Sequence, residues 1–330
     1  MRRGLEVKVG RIQQLLRIET QKLVLIGTLL VIVVGLSFAS PNFLSVTNFT
    51  NVFLKVAVIV IIASAANLLM ITGHFDLSVG SVLAFSGILH AYLSKHGVPI
   101  ELSVLLTCVV AMGWGGINAV TVAVLGINPV IATVGVMFIA RGFAFLLARW
   151  DGGANIMTGL PMEFVDLGRE LIFGMIPLAI VMMVVTFLLF VFIEKRTALG
   201  RLSYAVGTNF KAAKLSGINA VGIIAFLYVV VALFAGLSGI LQTSRVGLAA
   251  PNVAKGLEFD IIVAIILGGT SMMGGVGTTF GMLLGALVVG FFGNGLNLLG
   301  IPFYYQSIAY GVILIGSLML NHRFSVASRA

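Results

Sequence analysis

The amino-acid sequence predicts an all-α protein that crosses a membrane about ten times. Of its 330 residues, 59% are hydrophobic and only 9% are charged, whereas a soluble domain carries about 25% charged residues. The mean hydropathy is +1.14. The apolar residues fall into runs of near-spanning length, and each crossing of a bilayer needs about 20 of them. Because such a chain cannot cover a water-soluble surface, we expect a multi-pass membrane protein.

A basic segment, residues 1–22, precedes the first apolar run. Its apolar side chains share one helical face over residues 5–18, which predicts an amphipathic helix on the inner membrane surface. The alternative is a cleaved signal peptide, since Ser37–Phe38–Ala39 resembles a small-residue cleavage site. Cleavage would remove the first span and leave nine.

The apolar runs predict ten spans with both termini on one side of the membrane. Five lysines and arginines fall in segments on the far side and thirteen on the side of the termini, so both termini are predicted to be cytoplasmic. The net charge of +9 therefore reports orientation rather than nucleic-acid binding. The acidic loop over 150–174 fits an outward face. The predicted spans are 23–39, 52–72, 77–94, 100–125, 130–149, 175–193, 220–243, 260–273, 277–298 and 303–320.

No linker divides the chain, so residues 1–330 are predicted to form one transmembrane domain. In each half, a break rich in glycine and serine interrupts an apolar run, at 72–81 and at 268–278. Paired breaks are typical of inverted repeats and tend to lie near the transport path. The predicted parts are the amino-terminal segment 1–22, a first helical block 23–193, a cytoplasmic segment 194–219, a second block 220–320 and a cytoplasmic tail 321–330.

Polar residues within or beside the spans are candidates for the transport path. A charge at membrane depth is costly unless it is satisfied, so Asp76 and Arg141 stand out. Asp76 is predicted first as the N-cap of the helix that follows the break, ahead of direct contact with the substrate or a proton. Arg141 is predicted either to snorkel or pair with carbonyl groups, or to act as a structural lock or a pore-lining donor. Amides bind sugars but also join helices in lipid, so both roles stay open. The candidates for the path or the helix break are Asn67, Asp76, Ser78, Arg141, Asn294, Asn297 and Gln306.

The sequence predicts no catalytic residue, no metal site and no nucleotide site on this chain. A phosphate-binding loop needs the spacing G-x-x-x-x-G-K-[ST], which is absent. Gly281 and Gly285, on one helical face, are instead predicted to allow close packing. Gly236–Leu237–Ser238–Gly239 matches the nucleophile motif of intramembrane serine proteases, but the histidines of the spans lie in the first half of the chain. An intramembrane hydrolase is therefore a weak alternative.

Four groups of residues along the chain form a recognisable set of motifs. They are Asp76–Ser81; Asn128–Pro129, Ile131–Thr133 and Arg141–Gly142; Thr197, Gly200–Arg201, Tyr204–Gly207, Asn209, Ala212–Ala213 and Leu215–Ile218; and Gly256–Asp260, Leu267–Ser271, Gly274–Gly275 and Asn294–Gly300. Together they resemble the membrane permease of ribose-type ATP-binding-cassette (ABC) importers, the second carbohydrate-uptake family, over residues 22–320. His74, Phe75 and Phe259 depart from the family pattern, which leaves the sugar open.

The resemblance implies a fold similar to the vitamin B12 importer membrane subunit, a type II ABC importer with about ten helices and inverted repeats. It implies that two permease chains, identical or different, pair around one path in a bacterial inner membrane. A cytoplasmic ATPase subunit would carry ATP and Mg, and a periplasmic sugar-binding protein would deliver the substrate. Residues 208–217 would form the helix that couples to the ATPase. The coupling residues would be Arg201, Asn209, Lys211, Ala212, Ala213, Lys214, Leu215 and Gly217.

The predicted function is therefore the permease subunit of an ATP-driven importer for a monosaccharide or similar neutral polar solute. The scarcity of charge within the spans favours a neutral substrate, because a charged one would need a compensating charge at membrane depth. The alternative is a stand-alone secondary transporter or channel. Such a protein would normally carry an ionisable relay within its spans, for which only Asp76 and Arg141 are candidates.

Overall fold

The computed structural model describes residues 22–151, 156–302, 304–306, 308–309, 311–312 and 315–316. Within these residues the chain is mostly helical, as the composition predicts. The amphipathic helix predicted over 5–18 and the tail predicted over 321–330 lie outside the described residues.

The first half of the chain forms seven helices and one short hairpin. The fourth helix continues into a π-helical turn, Ala119–Val124. Two antiparallel strands, β1 (Leu171–Ile172) and β2 (Ile176–Pro177), lie between α6 and α7. The helices are α1 (Lys22–Ala39), α2 (Val46–Ile71), α3 (Val79–Lys95), α4 (Ile100–Asn118), α5 (Pro129–Trp150), α6 (Met162–Arg169) and α7 (Leu178–Arg196).

The second half begins with two short helices and continues with longer ones. Residues 304–306, 308–309, 311–312 and 315–316 are also helical and fall within the last predicted span. The other helices are α8 (Ala198–Thr208), α9 (Phe210–Leu215), α10 (Ala220–Val246), α11 (Leu257–Leu267) and α12 (Thr279–Leu298).

Seven helices within the described residues are long and apolar enough to cross a membrane: α1, α2, α4 with its π-helical turn, α5, α7, α10 and α12. The remaining helices that match predicted spans are shorter, with 17 residues in α3 and 11 in α11. At 1.5 Å per residue, α11 is about 16 Å long, about half the hydrocarbon thickness. The span predicted over 260–273 is therefore wrong in its second half, because the helix ends at Leu267 and Gly269 has a φ of 93°.

Helix α2 lies at the centre of the bundle. In its most apolar window 89% of the residues are buried, against 6% in α1. A helix that is apolar on all sides belongs in the interior, which explains this position. It packs against α7, α10, α11 and α12, whereas α10 packs against α3 and α4. The apolar faces of α1 and α5 remain exposed and suit contact with lipid or another chain.

Glycines allow the short helices to approach their neighbours closely. A Cβ added at Gly285 of α12 would overlap the carbonyl oxygen of Ala264 in α11, and one added at Gly281 would overlap that of Gly268. The prediction that Gly281 and Gly285 serve packing is therefore confirmed. Small residues are favoured at such contacts because in lipid the helices associate through close van der Waals packing.

Candidate coupling surface and interior polar clusters

The segment α8–α9 carries the predicted coupling residues. The side chain of Asn209 accepts the N–H of Ala212 at 2.9 Å and so caps α9, and Gly217, with a φ of 81°, ends the turn that follows. Ala213 is only 5% exposed, so its side chain faces the protein and cannot contact a partner. The exposed residues are Arg201, Asn209, Lys211, Ala212, Lys214, Leu215 and Gly217.

The exposed part of this segment combines positive charge with apolar area. The side chain of Leu215 is 89% exposed and that of Phe210 is 41% exposed, and the cations Lys211 and Lys214 lie in the same short helix. Exposed apolar side chains beside cations suit a protein partner that carries an acidic surface. We refer to residues 209–217 as the coupling surface.

The two predicted breaks contact each other beside the end of α8. The N–H of Gly275 in the second break donates to the carbonyl oxygen of Ile71, immediately before the first, at 2.8 Å. A Cβ added at Gly207 would overlap that same oxygen, and one added at Gly73 would lie 3.5 Å from the carbonyl oxygen of Met273. The sequence predicts each break, but their contact depends on the tertiary fold.

His74 lies in the wall of a pocket of about 420 Å³ between the first break, the turn over 126–129 and α8–α9. Its Nδ1 lies 3.1 Å from the carbonyl oxygen of Thr72. Burial lowers the pKa of His74, and the contact with Thr72 opposes this only in part, so the imidazole is neutral at pH 7. Within the described residues, no group of three or more metal-ligating side chains comes together.

Asp76 lies in a buried cluster with Ser78 and Asn118. Its Oδ1 accepts the N–H and the hydroxyl of Ser78 at 2.7 and 2.6 Å, and its Oδ2 accepts Nδ2 of Asn118 at 3.1 Å. The prediction that Asp76 is the N-cap of α3 is wrong in position, because Ser78 is the N-cap residue. Asp76 nevertheless binds the backbone there, in an Asx-type turn. Asn118, which immediately precedes the π-helical turn of α4, is a polar residue of a predicted span, but its contact with Asp76 was not predicted.

Arg141 joins three parts of the chain. Its Nε donates to the hydroxyl of Ser81 in α3 at 3.1 Å, and its Nη1 donates to the carbonyl oxygens of Pro251 and of Val253, the latter at 2.8 Å. These bonds use the Nε and Nη1 donors of the guanidinium and tie α5 to α3 and to the segment that precedes α11. Of the predicted roles, the geometry matches pairing with carbonyl groups, which also makes Arg141 a structural lock.

Most of the predicted amides bind other protein groups. Asn294 and Asn48 hydrogen-bond each other in both directions, at 2.8 and 3.2 Å. Nε2 of Gln306 donates to Oδ1 of Asn297 at 2.8 Å. Asn67 accepts the hydroxyl of Thr270 in the second break at 2.6 Å, and its own Nδ2 is buried with no partner among the described residues. These amides therefore join helices in this structure.

A second polar cluster, formed by Glu194 at the end of α7 and Tyr204 in α8, was missed as a site. The carboxylate of Glu194, at the end of α7, accepts the N–H of Thr279 at 2.6 Å. The hydroxyl of Tyr204 donates to the carbonyl oxygen of Gly277 at 2.6 Å. Burial, together with the Glu194 charge, raises the pKa of Tyr204, so this hydroxyl stays protonated.

Ser238 lacks the surroundings of a nucleophile. Its hydroxyl is fully buried and has no hydrogen-bond partner among the described residues. A serine nucleophile needs a general base within hydrogen-bond reach. Gly236 and Gly239 pack against α3 and α4: a Cβ added at Gly239 would overlap the carbonyl oxygen of Leu83, and one at Gly236 would lie 2.6 Å from the Cβ of Ala111. The motif is therefore a packing feature, and the hydrolase alternative has no structural support.

Comparisons with known proteins agree on one kind of protein. A family model described as branched-chain amino acid transport system / permease component matches residues 48–319. The chain is 35% identical to the ribose import permease protein RbsC of Haemophilus influenzae, covering 89% of this chain and 91% of the relative. It is 36% identical to the probable ABC transporter permease protein YphD of Escherichia coli (92% of each) and 33% identical to the D-allose transport system permease protein AlsC of that organism (88% and 87%). No solved structure gives a significant match.

Proposed function

Since the chain belongs to this family of ABC transport permease components, we propose that it is the membrane subunit of an ATP-driven importer for a monosaccharide or similar neutral polar solute. The observation that carries the proposal is the match over about nine-tenths of the chain to permeases named for ribose and for D-allose. The resemblance drawn from the sequence motifs agrees with this match. The chain itself is a non-catalytic subunit in a multi-pass inner-membrane location.

The interior polar groups support a neutral substrate. Asp76 and Arg141 already bind protein groups, so neither is free to compensate a charge on a passing solute. A zwitterionic amino acid, which the family description by itself would allow, would need two such charges. The names of the relatives and the engaged charges therefore both favour a sugar.

The energy for transport comes, in this proposal, from ATP and Mg on a separate ATPase subunit. That subunit docks on the coupling surface, residues 209–217, where the exposed Lys211 and Lys214 face acidic residues of the partner. The chain pairs with a second permease chain, and a periplasmic binding protein delivers the sugar from outside. Both termini lie in the cytoplasm, as the distribution of basic residues indicates.

The proposed architecture has ten spans in two inverted repeats, similar to the vitamin B12 importer subunit. The helix order supports it, because α2 (26 residues) leads through a break into the shorter α3, and α10 (27 residues) leads through 247–256 into the short α11. The packing is reciprocal: α2 lies against α11 and α12, and α10 lies against α3 and α4. In this arrangement the counterpart of the first break is the segment 247–256 rather than 268–278.

The test is uptake into proteoliposomes that contain this chain together with the ATPase and binding protein encoded beside it. We expect uptake of the sugar that the binding protein binds, and we expect it to require ATP. Uptake by the purified chain alone, driven by an ion gradient, would favour the stand-alone transporter instead. Labelling of Ser216→Cys from the periplasmic side of intact cells would contradict the proposed orientation.

A further inference from the structure

A buried carboxylate holds the start of α12 against the end of α7. Glu194 is only 8% exposed, and its Oε2 accepts the N–H of Thr279, the first residue of α12, at 2.6 Å. The first N–H groups of a helix have no partner within the helix and carry a partial positive charge, so a carboxylate is favoured there. This bond joins residues 85 positions apart in the chain.

Tyr204 adds a second connection from the segment that bears the coupling surface. Tyr204 lies in α8, directly after the fully buried Ser203. The hydroxyl of Tyr204 donates to the carbonyl oxygen of Gly277, two residues before α12. Glu194 lies close enough to Tyr204 to influence its ionisation. The end of α7, α8 and the start of α12 are therefore connected by two short hydrogen bonds.

The close backbone contacts continue from α8 into the second break and α2. A Cβ at Gly274 would lie 3.0 Å from the carbonyl oxygen of Gly207. The N–H of Gly275 donates to Ile71 at 2.8 Å, and the hydroxyl of Thr270 donates to Asn67 of α2 at 2.6 Å. Packed backbones without intervening side chains transmit displacement because they have little room to deform. A continuous contact path thus runs from α8 to α2.

We propose that Glu194 and Tyr204 are positioning residues that transmit the movement of α8–α9 to the second break and α12. This inference rests on the proposed function, because it assumes that an ATPase moves the coupling surface. Glu194 and Tyr204 contact neither the sugar nor ATP in this scheme. They make α8–α9, the second break and the start of α12 move as one rigid body. Rigid-body movement is a common form of conformational switching.

The test compares sugar transported with ATP hydrolysed in proteoliposomes that hold the complete complex. For Glu194→Ala we expect the sugar transported per ATP to fall about tenfold, the effect of losing one hydrogen bond to a charged group. Tyr204→Phe should lower it too, with less effect on folding. Glu194→Gln keeps an acceptor for Thr279 and should be intermediate. The exposed neighbour variant Lys195→Ala should keep the wild-type ratio.

An unchanged ratio in both Glu194→Ala and Tyr204→Phe would overturn the inference. A parallel loss of uptake and ATP hydrolysis at the wild-type ratio would also overturn it, because that result marks a purely structural role. A fall in the ratio with normal amounts of assembled complex would support it.

A distance measurement on the chain itself separates this inference from the proposed function. Spin labels at the exposed positions Ser216 and Met273, in a Cys108→Ala background, report the distance between the coupling surface and the second break. We expect one narrow distance distribution in the wild type and in Lys195→Ala, and a broad or shifted one in Glu194→Ala and Tyr204→Phe. Failure of ATP-dependent uptake in the wild type would reject the proposed function, but the distance measurement would still test the inference. Unchanged distance distributions in both Glu194→Ala and Tyr204→Phe would show that these residues do not hold the coupling surface and the second break together.

Discussion

Nη1 of Arg141 in the middle of α5 donates to the carbonyl oxygen of Val253 at 2.8 Å, which joins two segments 112 residues apart. The bond fixes the stretch between α10 and α11 against the first half of the chain. Carbonyl groups in this stretch cannot be satisfied by helical bonds, and within lipid an unsatisfied backbone group costs several kcal/mol. A cation at this depth is therefore explained by the irregular backbone that it satisfies.

Replacing Arg141 should destabilise the protein. For Arg141→Ala we expect the free energy of unfolding in mixed micelles to fall by about 2–3 kcal/mol, because hydrogen bonds from a charged donor to buried carbonyl groups are lost. Arg141→Lys should be intermediate, since an ammonium group keeps the charge but not the planar fork. Arg149→Ala, an exposed position on the same helix, is the control. Equal stability of Arg141→Ala and the wild type would show that the bonds contribute nothing.

The reciprocal amide pair Asn48–Asn294 should contribute as a unit. We expect each single replacement by alanine to destabilise the protein, and we expect the double variant to cost less than the sum of the two. The coupling energy in a double-mutant cycle should be about 1 kcal/mol, which is typical of interhelical hydrogen bonds in lipid. The measurement is equilibrium unfolding of the four proteins in the same micelles. Strict additivity would mean that the two amides do not depend on each other.

Hydropathy and glycine content were sufficient to predict a helical membrane protein, its central polar segment and the two breaks, because these are local properties of the sequence. The partners of the polar groups were not predictable in the same way. Glu194 meets Thr279 and Asn48 meets Asn294 only after folding brings distant segments together. Ala213 was predicted to contact the ATPase but is buried, for a related reason. Helix α9 has only six residues, too few for the sequence to show which of its faces packs against the bundle.

Reversing the charge of the coupling surface should weaken binding of the ATPase. For the double variant Lys211→Glu with Lys214→Glu we expect the dissociation constant to rise at least about tenfold at low salt, because exposed charges act mainly through complementarity with the partner. The difference should shrink at 1 M salt, where charges are screened beyond about 3 Å. Lys255→Glu, which reverses an exposed charge two residues before α11 and outside the coupling surface, is the control. Unchanged affinity in the double variant would place the ATPase elsewhere.

Two glycines of α4 offer a matched test of close helix packing. A Cβ at Gly115 would lie 2.6 Å from the carbonyl oxygen of Tyr228 and 2.7 Å from the Cα of Val229, whereas nothing lies within 4 Å of one at Gly113. Gly115→Ala must therefore push α4 and α10 apart, and we expect it to lower the free energy of unfolding by about 1–3 kcal/mol. Gly113→Ala should be neutral or stabilise α4 by about 0.5–1 kcal/mol, because alanine loses less backbone entropy in a helix.

The contrast between the two alanines tests the packing itself, because both replace the same residue type in the same helix. Equilibrium unfolding in micelles gives the free-energy difference, and cross-linking between cysteines on α4 and α10 gives the separation of the helices. We expect Gly115→Ala to slow this cross-linking and Gly113→Ala to leave it unchanged. Since α10 also packs against α3, the displacement caused by Gly115→Ala should in addition loosen the contact between Gly239 and Leu83. Equal stability and equal cross-linking in both variants would mean that α4 and α10 do not approach each other as closely as described.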